Sequence, residues 1–160
     1  MIAERIELEN SYRMLKPEQS KRLAEIGEHF KKLRYEARQK LSNDIADLAK
    51  NFYNAMQENH SIRQKLWIEK MKIENSQPVD IDALVANQEA HAKNKRYANE
   101  LAQTFDDTVK RLKREYKMYK LSLASLECSN INSVRDEISR RRSDLLGKIA
   151  SLKLKGLQNG

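Results

Sequence analysis

The chain has 160 residues; 39% are hydrophobic, 34% charged and 6% aromatic, with four glycines and two prolines. Few breakers among so many charges mark long helices with a narrow apolar stripe, and apolar residues that recur at helical spacing argue against disorder over most of the chain. The formal net charge of +8 lies wholly in the C-terminal part, because residues 1–92 hold 15 Lys and Arg against 15 Asp and Glu whereas residues 93–160 hold 16 against 8.

The first predicted helix covers residues 2–15, with Ile2, Ile6, Tyr12 and Leu15 on one side. Proline suits the first turn of a helix, so Lys16-Pro17-Glu18 reads as a break followed by a restart. The second helix is predicted over 18–75. Its stripe opens with Leu23, Ile26, Phe30 and Leu33 in alternating three- and four-residue steps, as in a heptad. Two four-residue steps through Leu41 and Ile45 resemble a stutter, and the period returns at Leu48, Phe52 and Leu66. At about 1.5 Å per residue such a helix is roughly 85 Å long, and its stripe must be shared with another helix.

The polar run Asn75-Ser76-Gln77-Pro78-Val79-Asp80 ends this helix and marks a hinge over 75–80. Asp80 or Asp82 is the expected cap of a third helix, predicted over 80–128. Its start, Ile81, Leu84 and Val85, is apolar, but Asn87–Arg96 is polar and should pair weakly or only with a partner. The stripe then returns at Leu101, Phe105, Leu112, Tyr116 and Leu123. Ser129–Ser133 reads as a second break, and a last helix over 133–155 carries Val134, Ile138, Leu145, Ile149 and Leu152. The expectation is an all-α fold: one elongated helical hairpin or coiled coil over 1–160, with two long helices and shorter terminal ones. Leu23, Ile26, Phe30, Leu33, Leu48, Phe52, Leu66, Leu101, Phe105, Leu112, Tyr116 and Leu123 are its helix-interface residues.

Catalytic and metal-binding patterns are missing from the sequence. Helical bundles hold paired irons through Glu-x-x-His, yet Ile26, Gln57 and Gln88 stand three places before His29, His60 and His91. The lone Cys128 forms neither an internal disulfide nor a multi-cysteine site. Gly27, Gly147, Gly156 and Gly160 build no phosphate loop, and the pairs Asp106-Asp107 and Asp136-Glu137 read as solvated helix faces. No catalytic, metal or cofactor residue is assigned and no enzymatic activity is expected. The acidic residues Glu4, Glu7 and Glu9 argue against a leader peptide, and no stretch nears roughly 18 uninterrupted apolar residues. A cytoplasmic location is expected, extending to the outer face of organelle membranes.

The basic residues follow a helical flank. Lys110, Lys113, Lys117 and Lys120 are three or four apart, Arg111 and Arg114 widen the band, and Arg140, Arg141 and Arg142 continue the basic character further on. Such a band neutralises phosphates or carboxylates of an anionic partner, or stands as a solvated, salt-bridged helix face. Arg142 falls on the stripe between Ile138 and Leu145, a position suited to a partner's carboxylate.

Residues 79–126 carry a further pattern: Asp80-Ile81-Asp82-Ala83-Leu84-Val85, then Asn99-Glu100-Leu101-Ala102-Gln103, then Asp107-Thr108-Val109-Lys110-Arg111-Leu112. This resembles the small coiled-coil subunits of the snapin and pallidin type, from the complex for biogenesis of lysosome-related organelles. The resemblance covers under a third of the chain and implies a scaffold subunit in endosomal and lysosomal traffic. The helix from Ser133 onward departs from that pattern. The expected function is therefore a non-catalytic coiled-coil subunit of a multi-protein complex. Its alternatives are a basic helical module on an anionic membrane or nucleic acid, and a kinetochore or spindle subunit. Expected partners are other coiled-coil proteins or a second copy of the chain, then an anionic membrane or acidic protein surface, with nucleic acid last.

Overall fold

The computed structural model describes residues 2–159, which form two helices and no strand. Helix α1 spans Ile2–Glu74 and helix α2 spans Ile81–Asn159. The fold is all-α, a helical hairpin whose turn is the polar, proline-containing segment 75–80. Ser76 closes α1 by donating its hydroxyl to the Ile73 carbonyl at 2.7 Å. Of the two candidate caps, Asp80 opens α2: its carboxylate accepts from the Ala83 N–H at 3.1 Å, and its carbonyl accepts from the Leu84 N–H at 3.1 Å.

Two expected breaks are absent. Helix α1 runs unbroken through Pro17, and α2 runs unbroken through Ser129–Ser133, so the separate terminal helices over 2–15 and 133–155 do not form. Proline inside a helix costs about 3 kcal/mol in a lost hydrogen bond and a ring clash. Packing on both sides of Pro17 offsets that cost. Tyr12 and Leu15 before it, and Leu23 and Ile26 after it, gather on one cluster with Val134, Ile138 and Leu145 of α2. The polar run in α2 contains no glycine or proline, and each serine or asparagine costs a helix at most about 0.7 kcal/mol. Ile131 and Val134 keep the apolar spacing alive across it.

The chain divides into two compact units, one of Met1–Glu36 with Met118–Gly160 and one of Ala37–Lys117. The first has an apolar centre. Leu15 and Ile138 are each 1% exposed, and Phe30, Leu123, Val134 and Ile149 are also buried. Ion pairs flank this centre: Arg141 to Glu18 at 2.7 Å, Arg22 to Glu137 at 2.6 Å and Arg34 to Glu127.

The second unit, the turn-proximal hairpin, is built differently. Its buried residues are Ala98 and three asparagines, Asn59, Asn87 and Asn94. Its large apolar side chains are only half-buried or exposed. Across the helices Phe52 stacks on Phe105, with ring centroids 4.7 Å apart and planes 18° from parallel.

Candidate partner-binding surface

The predicted interface residues divide between the two units. In the first, Phe30 and Leu123 are buried and Leu23, Ile26 and Leu33 half-buried. In the second, Leu48, Phe52, Leu66, Leu101, Phe105, Leu112 and Tyr116 are all half-buried. In the second unit, therefore, each of these side chains stays partly open.

The basic residues do not act as one uniform band. Arg141 is engaged by Glu18, Lys110 by Asp106 at 2.9 Å and Arg111 by Glu115 at 3.6 Å. Asp106 beside Lys110 raises the ammonium pKa above its ordinary value, chiefly through their hydrogen bond, and Lys110 stays charged. Lys120 is also engaged. Among the described residues, Lys113, Arg114, Lys117 and Arg140 are exposed and Arg142 is half-buried, and none of these five forms an ion pair. The acidic residues that do reach basic groups across the helices are Glu18, Glu127 and Glu137.

A polar layer crosses the centre of the second unit. Asn94 Nδ2 donates to Asn59 Oδ1 at 2.8 Å and lies 3.3 Å from the Asn59 carbonyl. One heptad nearer the turn, Asn87 Nδ2 donates to the Leu66 carbonyl at 3.0 Å. Asn59 Nδ2 and His91 Nε2 are buried with no hydrogen-bond partner. The polarity of Asn87–Arg96 was readable in the sequence, but the pairing role of these asparagines was not. The seven-residue intervals Asn59 to Leu66 and Asn87 to Asn94 are the signal that could have found it.

Beside this layer, close to the turn, a groove of about 960 Å³ runs between the helices. Trp67, Ile68 and Arg63 form its α1 wall, and Leu84, Gln88 and His91 its α2 wall. Trp67 is 57% exposed, with Lys70 Nζ 5.5 Å from its ring centroid. Met71 and Val85 are exposed nearby in sequence. Wide apolar exposure around one concavity is a common mark of a contact surface.

Among the described residues no group of three His, Cys, Asp or Glu side chains is placed to hold a metal ion, and no helix is long and apolar enough to cross a membrane. Compared with known proteins, the sequence matches no family, no characterised protein and no solved structure.

Proposed function

We propose that the chain is a non-catalytic coiled-coil scaffold subunit of a multi-protein complex working in endosomal, lysosomal or vesicle traffic. One observation carries this reading. The turn-proximal unit buries three asparagines and an alanine, while its leucines and aromatics stay partly open. A helix pair gains most of its stability from a packed apolar face. A pair with a polar centre and open apolar flanks therefore suits a larger helical assembly, in which further helices cover what two leave exposed. The resemblance of residues 79–126 to snapin- and pallidin-type subunits supports the trafficking assignment.

The test has two parts. Gentle affinity purification of the tagged chain from its native source should recover a fixed set of helical proteins at constant stoichiometry. The isolated chain should melt at a temperature that rises with its concentration or on addition of those proteins. A chain that is a well-folded monomer at low concentration, with a melting temperature indifferent to both, overturns the proposal.

A further inference from the structure

Helix α1 carries a second heptad stripe. In the turn-proximal unit its first stripe, through Leu48, Phe52, Asn59 and Leu66, is the one turned toward α2. Ala49, Tyr53, Met56, His60, Trp67 and Met71 form another at steps of four, three, four, seven and four. At about 100° per residue, the second stripe lies roughly 110° around the helix from the first. All six are exposed except Met56, which is half-buried; Tyr53 is 62% exposed. Helices of bundles with three or more members show such paired stripes, one for each neighbour.

Helix α2 offers a matching flank on the same side. Gln88 faces Trp67 across the groove, which fixes the side. Steps of seven, eleven, four, three and four from Gln88 reach Lys95, Asp106, Lys110, Lys113 and Lys117, which keeps them on one helix face. Asp106 is taken up by Lys110. Lys95, Lys113 and Lys117 form no ion pair among the described residues, nor does Arg63 on the opposite wall. The groove itself is lined near the turn by Trp67, Ile68, Leu84 and Gln88; beyond it, the same side of the unit carries alanine, methionine and tyrosine side chains on α1 and the unpaired Lys95, Lys113 and Lys117 on α2.

We infer that this side of the turn-proximal unit, from the groove at Trp67 along the flanks toward Lys117, receives an acidic amphipathic helix from a partner protein, its apolar stripe on Tyr53, Met56 and Trp67 and its carboxylates against Lys95, Lys113 and Lys117. The inference rests on the scaffold reading and names the kind of partner. Heptad spacing along a concave surface fits a helix laid in a groove. The charge selects its flank. A second copy of this chain brings the same basic flank, and the carboxylates lining this side, Asp106 and Glu74, already pair with Lys110 and Lys70. A flat anionic bilayer meets exposed lysines but does not follow a concave apolar wall.

Trp67 is the chain's single tryptophan and reports directly on the groove. The probes are two synthetic four-heptad helices with leucine stripes, one flanked by glutamates and the other by lysines. The acidic peptide should blue-shift Trp67 fluorescence, with an affinity about tenfold above that of the basic peptide and falling with salt. The double variant Lys113→Glu/Lys117→Glu, made at exposed positions, should retain its circular dichroism and reverse the preference. Equal binding of both peptides, or an unchanged preference in the double variant, overturns the inference. So does a Trp67 shift produced by phosphatidylserine vesicles or by concentrating the chain alone, with none from the acidic peptide. In the purified native complex, Trp67 should be shielded from acrylamide quenching. Full quenching with partners bound overturns the groove assignment while the scaffold reading stands, and a chain without partners overturns the scaffold reading instead.

Discussion

Asn94 of α2 donates its side-chain N–H to the Asn59 oxygen of α1 at 2.8 Å, and Asn59 is only 2% exposed. Polar pairs in the seam of paired helices lower stability and fix register, because any shift buries an unpaired amide. Asn94→Ala removes the donor and leaves the Asn59 oxygen without its side-chain partner, so it should destabilise the hairpin by about 1–3 kcal/mol. The double change Asn59→Leu/Asn94→Leu removes both amides, including the unpartnered Asn59 Nδ2. It should melt above the single variant and at or above the parent. Sedimentation should then show additional oligomeric species, since the register constraint is lost. Chemical denaturation and analytical ultracentrifugation read the two effects separately.

The Phe52–Phe105 stack joins α1 to α2 in the same unit. Both rings are half-buried. Phe105→Ala should cost about 2 kcal/mol, less than a fully buried ring, while Phe105→Leu should recover about half of that. The loss should appear in hydrogen exchange of the unit Ala37–Lys117. Equal loss in both variants would point to the ring stacking itself rather than to buried area.

The sequence was legible where apolar period and turn chemistry agree. The hinge at 75–80 was readable because Pro78 and a polar run coincide with the end of a heptad stripe. Pro17 and Ser129–Ser133 misled for one reason: local breaker signals say nothing of what packs on either side. Leu15 and Ile138 clamp the first, and Ile131 and Val134 carry the stripe across the second. The basic residues were visible, but their division into paired Arg141 and unpaired Lys113 depends on where α1 sets Glu18. The sequence shows Asn87–Arg96 only as a polar stretch and gives Asn59 no role, because hydropathy alone does not distinguish a solvated amide from a paired one.

Glu18 links two arginines, accepting from Arg141 at 2.7 Å and lying 4.0 Å from Arg22, which in turn meets Glu137. The hydrogen bond from Arg141, reinforced by the charges of Arg141 and Arg22, holds the Glu18 carboxyl below its ordinary range. A depressed carboxylate pKa means that the unfolded chain binds the proton first as acidity rises. The contribution is therefore complete above the ordinary glutamate range and is lost as pH falls through that range to the lowered folded value. Melting temperature should decline on acidification, and Glu18→Gln should flatten part of that decline. High salt should shrink the difference between the two proteins, since these groups face solvent. Identical pH profiles for parent and variant would remove Glu18 from the account.

Pro17 gives the sharpest test of how α1 holds together. It stands two residues after Leu15, and its ring removes the N–H that would bond the Arg13 carbonyl. Pro17→Ala restores that donor and relieves the clash, against a loss of about 0.4–1 kcal/mol because the unfolded chain regains freedom that proline had removed. The net should be a gain of about 2–2.5 kcal/mol with no fall in helicity, read by calorimetry and circular dichroism. Ile138→Ala is the complementary change. It empties the surface on which Leu15 rests and should cost about 2–5 kcal/mol. Because Pro17 relies on that contact to remain helical, the benefit of Pro17→Ala should be larger in the Ile138→Ala background than in the parent. Strict additivity would mean that the helix passes Pro17 without help from the cluster.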